Sequence, residues 1–208
     1  MRQSKIRILC VDDHPLVRDG IASAIQQQGD MELVAEAGNG LDAVTAFRHH
    51  RPDVTLLDLR MPRMNGLEAS AAIRGEFPNA RIVILTTYSG DIQASRALQL
   101  GAVGYLLKGT LRTELIATIR EVHAGHRRIP PEIACEIAEH CTAEVLSLRE
   151  TEVLRRVASG SSNKIIANEL GISEDTVKGH MKNLLSKLRA NDRTHAVTIA
   201  IKRGYLDG

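Results

Sequence analysis

Five times between residues 6 and 108, a short apolar, β-rich run is followed by an amphipathic helical pattern. The runs are IRILCV (6–11), ELVAEA (32–37), VTLLD (54–58), RIVILTT (81–87) and VGYLLK (103–108). PLVRDGIASAIQQ, GLDAVTAFRHH, NGLEASAAIRGEF, IQASRALQL and LRTELIATIREVHAG follow them in turn. Strand–helix alternation of this kind predicts an α/β fold, a five-stranded parallel sheet wound with helices on both faces. The nearly continuous apolar character of the runs agrees, because a strand covered on both sides has no face to leave polar.

The polar residues that interrupt this pattern gather at strand ends. Asp12 and Asp13 follow the first run, Asp58 ends the third, Thr86 and Thr87 end the fourth, and Lys108 ends the fifth. In an open parallel sheet, ligands bind beyond the carboxyl ends of the strands. The order of residues therefore predicts carboxylates, a hydroxyl and an ammonium along one edge. Several carboxylates in one small space need a cation or a shared proton. An all-oxygen set suits Mg²⁺, which joins one or two carboxylates to a phosphoryl oxygen. A carboxylate nucleophile, a metal, an ammonium and a hydroxyl are the parts needed to accept a phosphoryl group, which makes Asp58 the candidate acceptor. The plainer reading, helix caps with Lys108 as an ion-pair partner, serves for any one residue and poorly for all of them together.

After Gly125 the pattern changes. Residues 126–143, with two adjacent prolines and a short helical stretch, read as a linker between domain 1–125 and domain 144–208. The second domain reads as all helical: SLRETEVLRRVASG, SSNKIIANELG, SEDTVKGHMKNLLSKLRA and DRTHAVTIAIKRG. Ser147 and Glu150 form a capping-box pair, Gly160 and Gly171 stop the next two helices, and Ser173 caps the following one. A helix, a tight glycine turn and a second helix is the pattern of a helix-turn-helix. Lys178 and Lys182, four apart, share a face of that second helix, where Thr176, Asn183 and Lys187 can add phosphate contacts. Lysines spaced this way also merely solvate a helix face; the capped helices and the turn favour DNA. Gly179, mid-helix, costs about 1 kcal/mol relative to Ala. The last helix carries an apolar stripe, AVTIAI, that serves either a dimer contact or its own core.

Charge is spread to match. Residues 144–208 carry a balance of +3 and residues 1–143 a balance of −1, an acidic front and a back suited to a polyanion. Aromatics are only 2% of the chain, which argues against base stacking as a binding mode. Three scattered cysteines form no disulfide framework and suit a reducing cytosol. Cys135, His140 and Cys141 lack the spacing and the fourth ligand of a zinc site. No secretory leader and no apolar run of membrane-spanning length is present, so a cytoplasmic protein with no membrane partner is expected.

CVDDHP, VTLLDLRMPRMNGLEA, ILTTYS and GYLLKG together resemble the receiver domain of two-component response regulators. LRETEVLRRVASGSSNKIIANELGISEDTVKGHMKNLLSKL is similar to the LuxR-type helix-turn-helix, so the nearest class is the NarL/FixJ subfamily. The resemblance implies a flavodoxin-like receiver with Asp58 as phosphoacceptor, Asp13 as a direct Mg²⁺ ligand, Asp12 as its helper and the backbone carbonyl of Arg60 as a further ligand. It implies a switch formed by Thr86, Tyr105 and Lys108, and a backbone-positioning pair, Asn163 and Lys164, in the output domain. The partners implied are a sensor histidine kinase, DNA, RNA polymerase and, on phosphorylation, a second copy of the chain. No enzymatic role is implied beyond the receiver's own phosphoryl transfer and dephosphorylation. The sequence departs from the family pattern at Gly109, at YSGD (88–91), at Gly179 and at Ile165.

Two other classes fit less well. An aspartyl-phosphate phosphatase needs a second acid two residues after its nucleophile, where Arg60 stands. A regulator governed by a diffusible apolar ligand needs a cavity with aromatic walls, and the whole chain has five aromatic residues.

Overall fold

A computed structural model describes residues 4–87, 91–140 and 144–206, the side chains of 91, 136, 139 and 140 excepted. The chain forms two compact units, whose main boundary falls between Ala134 and Cys135, residues 91–93 grouping with the second.

The first unit contains β1 (Ile6–Val11), α1 (Pro15–Gln26), β2 (Met31–Ala37), α2 (Gly40–His50), β3 (Val54–Asp58), α3 (Gly66–Glu76), β4 (Ile82–Thr86), α4 (Asp91–Gln99), β5 (Gly104–Leu107) and α5 (Leu111–His123). A 3-10 turn, Lys108–Thr110, joins β5 to α5. All strand pairs are parallel, in the order β2-β1-β3-β4-β5. Every residue of β3 and β4 is buried, as a strand roofed on both faces requires. Alternate residues separate the two cores. Ile8, Cys10, Leu56, Val83, Leu85 and Leu106 pack with Ile21 and Ile25 of α1 and Leu115, Ile119 and Val122 of α5. Leu9, Leu57, Ile84 and Tyr105 are also fully buried and alternate with that set.

Helix starts follow local chemistry. Pro15 opens α1, where a missing N–H is no loss. Asn39 caps α2 by accepting from Asp42 N, and Asn65 with Glu68 forms a full capping box on α3. Away from the acidic edge, Phe47 of α2 stacks on Phe77 after α3 at 5.1 Å, and the Arg51 guanidinium lies 3.8 Å over the Phe77 ring.

The segment expected to be a linker from residue 126 is partly structured. Arg128 makes a parallel bridge to Gly104, receives the Tyr105 N–H at 2.8 Å and donates to Val103 O at 2.9 Å. It thereby satisfies the outer edge of β5, which otherwise exposes unpaired backbone. Residues Pro131–His140 form α6, with Ile133 fully buried. Cys135 is an exposed free thiol; Cys141 and the side chain of His140 lie outside the described residues.

The second unit holds α7 (Leu148–Ala158), α8 (Asn163–Leu170), α9 (Glu174–Leu188) and α10 (Arg193–Arg203) around Val153, Leu154, Ile166, Val177, Leu184 and Ala196. Ser147 and Glu150 make the capping box at α7, and Ser173 caps α9 by accepting from Thr176 N. Gly171 adopts φ +65 between α8 and α9, a left-handed cap that suits glycine. Among the described residues, no helix is long and apolar enough to cross a membrane.

Candidate functional site: an acidic strand edge and a polar helix face

β1 and β3 are central neighbours, so the residues at their carboxyl ends are delivered side by side. Asp12 is fully buried and Asp58 nearly so. Lys108, at the end of β5, reaches both: its Nζ donates to Asp58 Oδ2 at 2.9 Å and lies 2.7 Å from Asp12 Oδ2. One ligand atom from each of Asp12, Asp13, His14 and Asp58 lies within 4.8 Å of the others. His14 is absent from the sequence reading. Its Nδ1 sits 2.7 Å from Asp13 Oδ1, and its backbone N–H donates to Asp12 Oδ1 at 2.9 Å. The signal was present in the DDHP run, but an exposed histidine following two acids has no periodicity to betray it.

Burial pushes the Asp58 carboxyl above its ordinary value, against the pull of Lys108 and the Arg60 backbone amide. For Lys108, burial works against the ammonium, yet hydrogen bonds to Asp12 and Asp58 outweigh it and raise the pKa. The cation is therefore fixed at neutral pH and holds two carboxylates together. The Cys10 thiol beneath them is pushed up to about 12 by burial and by Asp12, which keeps it protonated and inert.

The donor set fits a hard divalent cation. Three carboxylates, from Asp12, Asp13 and Asp58, converge where the Lys108 ammonium touches only two of them, and the shielded Asp13 Oδ1 faces only the exposed His14 imidazole. Arg60 stands two residues beyond the end of β3, so its carbonyl belongs to the same edge.

Thr86 and Tyr105 are brought together through the sheet. Tyr105 pairs with Ile84, two residues before Thr86, so both project from one face. Both are buried, Tyr105 completely. Gly66 is a position the sequence reading passed over. A Cβ there would lie 2.1 Å from the Asp58 carbonyl oxygen, so the start of α3 packs against the Asp58 backbone only because Gly66 has none. Gly109 lies in the 3-10 turn after Lys108, and a Cβ there would meet nothing within 4 Å.

In the second unit, Lys178, Gly179, Lys182 and Asn183 are exposed on α9, while Val177 and Leu184 point into the core. Lys178 pairs with Asp175 at 2.9 Å on the surface, and Thr176 shares a 2.8 Å hydrogen bond with Ser173 in the cap. Asn163 and Lys164 open α8, with Lys164 exposed. Lys187 is employed differently from the expectation of a phosphate contact. Its Nζ donates to Glu150 Oε2 at 2.9 Å and lies 3.4 Å from Val145 O, tying α9 to the start of α7. It stands in the last turn three residues after the buried Leu184, on the side that turns inward. In α10, Ala196 and Ala200 are buried, and Val197, Ile199 and Ile201 pack partly buried against the same core. The apolar stripe thus serves its own domain.

Comparison with known proteins agrees with both halves. Residues 8–120 match the response regulator receiver domain, and residues 144–200 match the bacterial regulatory proteins of the luxR family. The chain is 41% identical over 217 residues to the uncharacterized transcriptional regulatory protein YxjL of Bacillus subtilis, covering 99% of this chain and all of that one. It is 38% identical to the probable transcriptional regulatory protein NarL of Mycobacterium tuberculosis, over 98% and 97% of the two chains. Among solved structures, the RcsB response regulator of Salmonella typhimurium, described for its conformational dynamism in DNA interaction, superposes with a TM-score of 0.71 at 25% identity. That likeness covers 93% of this chain and 98% of the other.

Proposed function

The chain belongs to the LuxR-type family of response regulators, and on that premise we propose that its transcriptional output is controlled by phosphorylation of Asp58 from a partner sensor histidine kinase. The observation that carries this reading is the Lys108 ammonium held between Asp12 and Asp58, beside Asp13 and His14. A buried carboxylate held on one side by an ammonium is a nucleophile positioned for a phosphorus centre.

In the transfer, the bond from phosphorus to a kinase histidine nitrogen breaks as a bond to an Asp58 carboxylate oxygen forms, and the imidazole keeps the electron pair. Asp12, Asp13, Asp58 and the Arg60 carbonyl would hold Mg²⁺. When bound, the cation neutralises charge that develops on the transferring oxygens. Lys108 offers its ammonium to those oxygens, and Thr86 its hydroxyl. The new phosphoryl group carries about −1.5 to −2 charge and three acceptor oxygens where the carboxylate carried −1. Lys108 and Thr86 turn toward it, and Tyr105, on the face shared with Thr86, repacks with them. Water later hydrolyses the acyl phosphate, and no other catalysis is assigned to the chain.

The output follows from a changed self-association surface. The phosphorylated chain pairs as a homodimer, and two copies of α9 engage the major grooves of a two-fold DNA site. Lys178 and Lys182 reach base edges or phosphates, Thr176 and Asn183 add phosphate contacts, and Asn163 with Lys164 positions the backbone of the DNA. RNA polymerase is the downstream partner, and the cytoplasm is the compartment where all of these meet.

Intact mass of the protein incubated with acetyl phosphate and Mg²⁺ tests the acceptor, followed by the mass of the assembly. Wild type gains one phosphoryl group and shifts toward dimer, whereas Asp58→Asn does neither. Equal labelling of Asp58→Asn would sink the assignment.

A further inference from the structure

The acidic turn between β1 and α1 is held from behind by a residue outside the acidic cluster. Arg18, on the first turn of α1, donates from Nη1 to the Asp12 carbonyl oxygen at 2.6 Å. Its Nε lies 3.4 Å from Glu36 Oε2 on β2. Asp12 is also fixed through its other polar groups: its N–H donates to Ala37 O at 3.1 Å and its Oδ1 accepts from His14 N. The carbonyl that Arg18 grips belongs to the peptide joining Asp12 to Asp13. The plane of that peptide sets the direction in which Asp13 leaves the backbone, and so where its carboxylate stands relative to Asp58. Arg18 is itself braced, its backbone N–H donating to His14 O at 3.3 Å and its guanidinium only about one-fifth exposed.

We infer that Arg18, steered by Glu36, is a positioning residue for the divalent-cation site, acting through the Asp12–Asp13 peptide rather than by touching the cation. The inference rests on the metal-site reading above. Groups that orient metal ligands without touching the metal change affinity by about 10- to 100-fold when removed. A guanidinium suits the task because its fixed fork holds a carbonyl with one nitrogen and a carboxylate with another. Lysine, a point charge on a flexible stem, replaces the charge without the fork. Glu36 supplies no ligand, so its loss is felt only through the arginine.

The test is Mg²⁺ titration of the full-length protein by calorimetry, repeated with Mn²⁺ by electron paramagnetic resonance, for wild type, Arg18→Met, Arg18→Lys and Glu36→Gln. Unfolding of each is also scanned in EDTA. The expected result is a loss of about tenfold or more in affinity for both ions in Arg18→Met. Arg18→Lys recovers part of it, Glu36→Gln loses less, and the metal-free unfolding temperature stays near that of wild type. Affinity in Arg18→Met within twofold of wild type overturns the inference. So does a loss of affinity that appears only alongside matching loss of metal-free stability, which marks Arg18 as a general brace. Wild-type protein that takes up neither ion overturns the metal site itself, and the role of Arg18 with it.

Discussion

Replacing Lys187 separates two roles that one lysine on a recognition helix can have. The Lys187 ammonium donates to Glu150, a carboxylate only 4% exposed that also accepts the Ser147 N–H at 2.7 Å. Lys187→Met keeps the aliphatic stem and removes the charge, leaving Glu150 buried with one hydrogen bond. An unsatisfied buried polar group costs about 1–3 kcal/mol, and the remaining Ser147 bond places this case near about 2 kcal/mol. For a domain of this size each kcal/mol moves the midpoint by about 4–8 °C, so a drop of about 10 °C is expected in the output domain's transition. The chain has no tryptophan, so the assay is scanning calorimetry with hydrogen-exchange mass spectrometry over residues 146–188. The pH dependence has a definite sign. Burial opposes the Glu150 carboxylate, but Lys187 and Ser147 outweigh it and hold its pKa below the ordinary value. Its contribution is therefore complete above the unfolded carboxylate pKa and is lost as pH falls through the folded one. The difference between wild type and Lys187→Met accordingly narrows in acid. A variant with unchanged stability but weaker, less salt-sensitive DNA binding would refute the reasoning and return Lys187 to the DNA face.

Lys182→Ala, on the exposed face of α9, should leave unfolding unchanged, weaken binding to all DNA sequences and lower the salt slope by about one in a titration against KCl. Asp58→Asn should stabilise the receiver at neutral pH: its folded pKa is raised, so folding favours the neutral form and ionisation opposes it. Calorimetry showing the variant less stable at pH 7 than wild type would contradict this. Gly66→Ala forces a methyl against the Asp58 carbonyl and should cost about 3 kcal/mol, with loss of acetyl phosphate labelling even where the chain stays folded.

The receiver was legible because its signals are local and repeated. β1, β3 and α2 fall at the residues their patterns mark, since apolar runs between turn residues leave little choice of boundary. The pairing of Asp12 and Asp58 with Lys108 followed from one rule about strand ends. What escaped were properties of neighbours distant in sequence. Helix geometry sets Lys187 about 140° round α9 from Lys182, yet nothing in KNLLSKL names Glu150, a residue of another helix, as its partner. Arg128 looked like linker because its pairing partner, Gly104, belongs to an edge strand whose open side no sequence pattern reveals. The stripe on α10 overstated its exposed surface because small alanines, not the larger residues, take the innermost positions.

The strand order also dictates when the acidic edge can exist. Synthesis delivers Asp12 first, Asp58 next and Lys108 last, and β5 reaches the sheet only by pairing with β4. Before that pairing, β1 and β3 can already lie side by side, bringing two buried carboxylates together without their ammonium, a juxtaposition that disfavours early closure. The nascent receiver therefore has no finished acidic edge until residue 108 has left the ribosome and docked. A truncated or half-made chain lacks the ammonium that holds the two carboxylates together, so completion of the site and completion of the domain become one event.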